Sequence, residues 1–334
     1  MTLLEPEIIP IKRADITGDG AWWCNGCGDF GVDAAIKQVI MSLVNDVGVP
    51  LENMFALSGI GCSSKKPEQL KVNAYQGQHG RSLPVAIGVA IANPGLKVID
   101  FGGDGDTYAI GMEHFMHSMI KNVNVTLVIM NNQVYGLTKG QAAPTAHSGL
   151  HTPSTPDGKK GRSVNPLKLA IAAGASFVGR GVSWQRNELA ALMTTAINTN
   201  GFSLVDVFSP CVTWHREPGF RGSGPIFDWY KQNFVLDIKD AWQSMRDQVF
   251  NEEEKSHLPV DYDPKSPEAA LSALRLISEA AKIGREVTGL LLHDETQATM
   301  AENLGVSADR APVHLDISVS KNLDSYKSLL AELR

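Results

Sequence analysis

From Lys97 to Asn132 the chain follows an order that few folds accommodate. Lys97-Val-Ile-Asp-Phe101 is a buried-strand pattern, and Gly102-Gly103-Asp104-Gly105 breaks it. Residues 107–120 carry a helical pattern. Val125-Thr-Leu-Val-Ile-Met130 is a second apolar run, closing on Asn131-Asn132. Strand, glycine turn, helix and strand at this spacing form a βαβ unit, so the two strands run parallel. The predicted fold class is therefore α/β, a doubly wound, mainly parallel sheet.

The flanking sequence extends this pattern. A helical segment runs from about Phe30 to Val44, and Met54 to Leu57 reads as a strand that breaks at Gly59 and Gly61. Ser82 caps a helix with Pro84 in its first turn, which Asn93-Pro94-Gly95 ends after Ala92. Further helix and strand patterns follow at 166–174, 176–179, 184–197 and 202–207. Pro144 to Asn165 is long, polar and rich in Pro, Ser, Gly and Lys, which points to a mobile or functional loop. Three parts are expected: an irregular N-terminal arm with a CxxC (1–28), a main domain (29–250), and a linker with a helical C-terminal appendage (251–334). Within them, 227–249 reads as Trp-rich and helical, and Asn251 to Lys265 as a polar linker. Ser266-Pro267-Glu268-Ala269 reads as a cap with proline at the first helical position. The tail from 266 is expected to be two helices around an acidic linker that dock on something else.

Bulk properties narrow the function. A formal charge of −6 gives no reason to expect nucleic acid or an anionic membrane as partner. No apolar run approaches membrane-spanning length. Met1 to Asp15 contains Glu5, Glu7 and Pro10 and lacks a signal-peptide pattern, so a cytoplasmic location is expected. In a reducing compartment the four cysteines, Cys24, Cys27, Cys62 and Cys211, point to a metal site more than to disulfides.

In a parallel sheet, Asp104 and Asn132 end neighbouring strands on the carboxyl edge, where α/β proteins bind ligands. The helix between them offers free N–H groups and a positive dipole to a diphosphate. Asp104 and the Asn132 side-chain carbonyl are hard oxygen donors. With a backbone carbonyl, a water and two phosphate oxygens they would complete an octahedral magnesium site. A tight βα connection followed by an Asn-Asn turn is the bland reading of the same residues. The segment resembles the thiamine diphosphate motif, a GDG followed some two dozen residues later by NN. That resemblance implies magnesium ligation by Asp104, Asn132 and the backbone of Val134. Gly103, Gly105, Asp106, Gly136, Leu137 and Thr138 would line the diphosphate and thiazolium region.

By spacing alone, the cysteines fit a [4Fe–4S] cluster, a structural zinc, a Cys24–Cys27 disulfide or unligated packing. Their surroundings are more specific. Trp23-Cys24-Asn25-Gly26-Cys27-Gly28-Asp29, Gly59-Ile60-Gly61-Cys62-Ser63 and Ser209-Pro210-Cys211 resemble the cluster-ligating segments of the 2-oxoacid:ferredoxin oxidoreductase β subunits. His79-Gly80-Arg81 and Tyr135 to Gln141 match that family too, and the resemblance spans roughly residues 20 to 235. One departure is Asn25, where the family usually has proline. It loosens a turn but removes no ligand.

The resemblance implies a [4Fe–4S] cluster on Cys24, Cys27, Cys62 and Cys211, inside a thiamine diphosphate-binding domain. Ile60, Gly61, Cys62, Ser63, Ser64 and Lys65 would approach the cofactor. His79 and Arg81 would either contact diphosphate or cap the Ser82 helix. It also implies oxidative decarboxylation of a 2-oxoacid, acyl transfer to coenzyme A and electrons passed to ferredoxin, or the reverse. Thiamine catalysis needs a glutamate at the aminopyrimidine, and only one domain of the required kind is visible here. An α subunit is expected to supply it in an αβ or (αβ)2 assembly. Lys65 and Lys139 flank the cofactor motifs, and either ammonium could pair with the distal carboxylate of 2-oxoglutarate. Leu137 agrees, since pyruvate-type relatives tend to carry asparagine there. Pyruvate, branched-chain 2-oxoacids and a non-redox thiamine enzyme with zinc are the alternatives. Met112, Met116 and Met119 are expected in the core, and Trp22, Trp23 and Trp214 around the cysteines.

Overall fold

The computed structural model describes residues 10–215, 227–228, 230–242, 261–266 and 268–314. Its centre is an eight-stranded sheet in the order β2-β1-β3-β4-β8-β7-β10-β9. The strands are β1 (Met54–Ser58), β2 (Asn73–Gln76), β3 (Lys97–Gly103), β4 (Thr126–Asn131), β7 (Phe177–Val182), β8 (Ser203–Phe208), β9 (Val235–Asp237) and β10 (Glu286–His293). β5 (Val134–Tyr135) and β6 (Gln141–Ala142) form a separate antiparallel hairpin. Every ladder of the main sheet is parallel except β10 against β7.

The apolar runs follow from burial on both faces. Ile99, Phe101, Val128, Met130, Val205 and Val207 point into one core, which α1 (Asp29–Asn45) and α6 (Arg186–Asn198) cover with Val32, Ile36, Val39, Leu189 and Met193. Val98, Leu127, Ile129 and Leu204 point into the other. There α3 (Ser82–Ala92), α4 (Met112–Ile120), α5 (Pro166–Ala172) and α7 (Ala269–Lys282) contribute Leu83, Phe115, Leu167 and Leu276. A strand with helices on both sides has no solvent face, so it reads as a continuous apolar run rather than an alternating one.

Several expectations are refined. The 107–120 helix is interrupted: Asp106–Ile110 form a π-turn, and the α-helix begins only after Gly111. Met119 is buried, and Met112 and Met116 pack against the same core, as expected. β2 was not legible, because all four of its side chains are exposed at the sheet edge. Within 227–249, Tyr230–Phe234 is a π-turn that leads into β9, and helix follows at 238–242.

Of the two helices expected in the tail, the first is α7, a strand lies beyond it, and the end of the tail lies outside the described residues. After α7, Gly284 at φ +72 reverses the chain, and Glu286–His293 enters the main sheet as β10. Val287 and Thr288 are β-branched, and Val287, Leu291 and Leu292 are buried, which suits a strand rather than a helix. The start of the arm (1–9), most of the 251–265 linker and residues 315–334 lie outside the described residues. The 144–165 segment is irregular, and the Val164 amide donates to the Pro144 carbonyl at 3.0 Å to close its ends.

Candidate functional site

Four parallel strands deliver the site to one carboxyl edge. Ile60 to Ser64 follow β1, Asp104 to Asp106 follow β3, Asn132 follows β4, and Ser209 to Trp214 follow β8. A pocket of about 500 Å³ opens there. Of the expected residues, Ile60, Gly61, Cys62, Ser63, His79 and Gly103 line it. So do Asp104, Gly105, Asp106, Asn132, Val134, Gly136, Leu137 and Thr138.

Asp106 pins two loops to the start of the π-turn. Its Oδ1 accepts from the Ile60 amide at 3.1 Å, from the Gly80 amide at 2.7 Å and from the His79 ring. Gly59 is the residue that lets this carboxylate in, since a Cβ there would lie 2.1 Å from Asp106 Oδ2. Gly105 meets a similar limit: its Cβ would fall 2.2 Å from the Tyr135 ring. Asp104 is buried, and Thr145 Oγ1 lies 2.5 Å from its Oδ2. Burial pushes its pKa up to about 7 against the opposing hydrogen bond from Thr145, and the Asp206 carboxylate adds to the rise. The Asn132 side-chain carbonyl accepts from the Val134 amide at 3.0 Å.

A second cavity, of about 590 Å³, holds all four cysteines on its wall together with Trp22, Trp23 and Trp214. The cysteines are free thiols. Trp23 Nε1 donates to the Cys62 carbonyl at 2.8 Å and so fixes one side of the cavity. Burial, with the nearby Asp29 carboxylate and Cys211, pushes the Cys62 thiol up to about 12. Cys27 and Cys211 are also raised, chiefly by burial. Thiols held neutral in this way become thiolates only when a metal supplies compensating positive charge. Among the described residues, no three His, Cys, Asp or Glu side chains converge on a single ion position.

The two cavities share a wall. Gly61, Cys62, Asn132, Gly136 and Leu137 line both. Gly136 sits at the thin point, where a Cβ would come 3.3 Å from Cys62 Sγ and 3.9 Å from Cys211 Sγ.

The remaining expected residues lie around these cavities. Lys65 lines the thiol cavity and pairs with Glu68 at 3.4 Å. Ser64 is buried behind its loop, where its hydroxyl and the Gly61 backbone bond each other. Gly80 serves Asp106, and Arg81 donates to the Gly80 and Ile110 carbonyls, which ties two loops together beside α3. Lys139 is exposed at φ +76 on the β5–β6 hairpin and lines neither cavity. The sequence did not mark Thr145, which lies inside the long polar segment, although it meets Asp104.

Comparison with known proteins agrees with this geometry. Residues 59–207 match the family model of the thiamine pyrophosphate enzyme, C-terminal TPP binding domain. The chain is 41% identical over 248 residues to the 2-oxoacid:ferredoxin oxidoreductase 1 subunit beta of Aeropyrum pernix, covering 73% of each chain. It is 34% identical over 296 residues to the corresponding β subunit of Saccharolobus solfataricus, covering 88% of each. The chain belongs to the 2-oxoacid:ferredoxin oxidoreductase β subunits. The 2-oxoglutarate:ferredoxin oxidoreductase of Magnetococcus marinus, solved with 2-oxoglutarate, coenzyme A and succinyl-CoA bound, superposes with a TM-score of 0.75 at 30% identity. That match covers 96% of this chain and 97% of the other. A 2-oxoacid:ferredoxin oxidoreductase β subunit is part of an oxidoreductase, and its designation implies a partner α subunit. No helix among the described residues is long and apolar enough to cross a membrane.

Proposed function

We propose that this β subunit binds thiamine diphosphate and magnesium in the first cavity and a [4Fe–4S] cluster in the second. The reaction is the coenzyme A-dependent oxidative decarboxylation of 2-oxoglutarate, or its reversal, with ferredoxin as electron carrier. The observation that carries this reading is the common wall of the two cavities. Asn132, a proposed magnesium ligand, and Cys62, a proposed cluster ligand, face both sides of it.

The residues fit these groups. Asp104, the Asn132 carbonyl and the Val134 backbone carbonyl are oxygen donors of the kind magnesium prefers. Gly103 and Gly105 keep the cradle open, and the start of the π-turn at Asp106 lines the same pocket. His79 is turned toward Asp106 through Nδ1, which fixes its ring against the pocket wall. Four thiols spread around one cavity suit a polynuclear cluster. A single zinc would need its sulfurs about 3.8 Å apart, as a tetrahedron with ~2.3 Å bonds requires. When bound, thiamine diphosphate supplies a carbon nucleophile and electron sink for decarboxylation, and a [4Fe–4S] cluster supplies single-electron transfer.

The Magnetococcus marinus structure with 2-oxoglutarate and succinyl-CoA bound supports 2-oxoglutarate as substrate. Lys65 lines the thiol cavity and Lys139 follows Thr138 of the cofactor pocket in sequence, so either could serve a distal carboxylate, and Leu137 lines both cavities. Asp104, Asn132 and Val134 therefore carry magnesium, Cys24, Cys27, Cys62 and Cys211 carry iron, and the α subunit completes the site in an αβ or (αβ)2 assembly. The test is anaerobic purification with whatever co-purifies, then a visible spectrum with iron, zinc and thiamine assays. Brown absorbance that bleaches on adding 2-oxoglutarate and coenzyme A is expected. A colourless protein containing zinc would end the oxidoreductase reading of the cysteines.

A further inference from the structure

The structure contains a line of buried polar groups behind Asp104 that binding of cofactor does not account for. Thr145 Oγ1 lies 2.5 Å from Asp104 Oδ2 and 2.8 Å from Asn131 Oδ1. Asn131 Nδ2 donates to Asp206 at 3.2 Å. Asp206 also accepts from Tyr108 Oη at 2.9 Å and from Arg180 Nε at 2.7 Å. Arg180 Nη1 continues to Glu286 Oε2 at 2.5 Å. Side-chain exposure is 2% for Arg180, 0% for Asp206 and 26% for Glu286, so the line starts at the pocket and ends near the surface.

Four of its members come from neighbouring strands. Asp206 of β8 lies opposite Arg180 of β7, while Asn131 closes β4 on the other side of β8. Glu286 opens β10, so that strand contributes the outer end.

Donor and acceptor chemistry gives the line a direction. Asp206 is an acceptor at both oxygens, so Asn131 must turn its NH2 toward Asp206 and its carbonyl toward Thr145. A flipped amide would set oxygen against carboxylate. The single proton of the Thr145 hydroxyl then faces two acceptors, that carbonyl and the Asp104 carboxylate, and a shared hydrogen bond to both couples Asp104 to Asn131. A buried ion pair such as Arg180–Asp206 is weak evidence for stability, and its place in this line lets it orient the groups bonded to it. We propose that Asp206, held by Arg180 and Glu286, is a positioning residue for the magnesium ligand Asp104, acting through Asn131 and Thr145. This rests on the reading that Asp104 binds magnesium with thiamine diphosphate.

The experiment uses the purified enzyme, both subunits together, stripped of cofactor. Thiamine diphosphate binding is followed calorimetrically as magnesium is titrated, and unfolding midpoints are recorded for each variant. Asp206→Asn puts an amide NH2 among three donors. It is expected to raise the magnesium concentration for half-maximal binding about tenfold or more, the size of one lost charge-assisted hydrogen bond. Thr145→Val removes the central link and leaves the ion pair intact, so it tests the same idea in a variant that keeps the buried charges paired. It is expected to raise the midpoint about tenfold, with Thr145→Ser restoring it. Glu286→Gln, at the outer end, is expected to give a smaller rise in the same direction.

Folded Asp206→Asn and Thr145→Val enzymes with the wild-type magnesium midpoint would overturn the proposal. Asp104→Asn is the control that separates the two readings. Normal magnesium-dependent binding in that variant would overturn the magnesium assignment itself. Loss of binding there, beside unchanged Thr145→Val, would overturn the positioning role alone.

Discussion

Asp106→Ala removes the acceptor on which the Cys62 loop and the His79 loop converge. Asp106 is 3% exposed and accepts from the Ile60 amide, the Gly80 amide and the His79 ring. In the alanine variant the two backbone N–H groups lose this partner. Leaving a buried donor unsatisfied costs about 1–3 kcal/mol, which applies to the buried Gly80 amide, and the partly buried Ile60 amide adds a smaller amount. Together they are an appreciable part of the ~5–15 kcal/mol by which a typical domain is stable. Asp106→Asn keeps a carbonyl for both amides and loses mainly the charge, so it should cost less, about 1–2 kcal/mol. The assay is urea unfolding by far-ultraviolet circular dichroism, with the slope required to match wild type so that midpoints report stability alone. Thiamine diphosphate affinity, measured on the folded fraction, should fall in the same order. A loss below about 1 kcal/mol for Asp106→Ala would show that these amides find water or a new partner, and would refute Asp106 as the joint between the loops.

Three further outcomes are expected. Lys139→Ala should raise KM for 2-oxoglutarate far more than for 2-oxobutyrate in steady-state assays, and equal effects would remove Lys139 from the carboxylate site. Gly136→Val should lower iron content and thiamine diphosphate affinity together, because a side chain there meets Cys62 and Cys211 through the wall between the cavities. Iron retained in full, measured after anaerobic purification, would contradict the contact. Asp100 supplies a pH dependence: burial, opposed by the Ser82 hydrogen bond and reinforced by Asp106, lifts its pKa to about 7, and its Oδ1 has no partner. Because the folded value exceeds the unfolded one, its contribution to stability is full below the unfolded pKa and is lost as pH rises toward 7. Asp100→Asn should therefore gain on wild type between pH 4 and 7, with a slope of at most about 1.4 kcal/mol per pH unit, read from unfolding midpoints at each pH. A flat difference across that range would mean that Asp100 does not take up a proton on folding.

The parts legible in the sequence are those set by local period and spacing. β3, β4 and the turns after them could be read because double-sided burial writes long apolar runs and the carboxyl edge demands glycine and short oxygen donors. The four cysteines could be named as one site only through the segments around them, since their spacing alone fits zinc equally well. What escaped depends on contacts between distant segments. Thr145 is an ordinary threonine in a polar stretch until the fold carries it to Asp104. Arg180 and Asp206 interrupt strand patterns as isolated charges, and only the register of β7 against β8 makes them partners. β10 was not marked as a strand because five of its eight residues are Leu, Glu or His, none of which marks a strand on its own.

The antiparallel pairing of β10 with β7 also sets an order of assembly. β7 has β8 on one side and β10 on the other, so β7 is an edge strand until β10 has been synthesised. Glu286 follows Arg180 by 106 residues, an interval of about 5–20 s at ~5–20 residues per second. Throughout that interval the nascent sheet presents an open ladder, the kind of edge that recruits a strand from the wrong chain. Arg180 lies in the middle of it, with Nε held by Asp206, so a foreign apolar strand would have to bury its Nη1 end without an acceptor. The guanidinium that finally clasps Glu286 is also the group that keeps the seat free until Glu286 arrives.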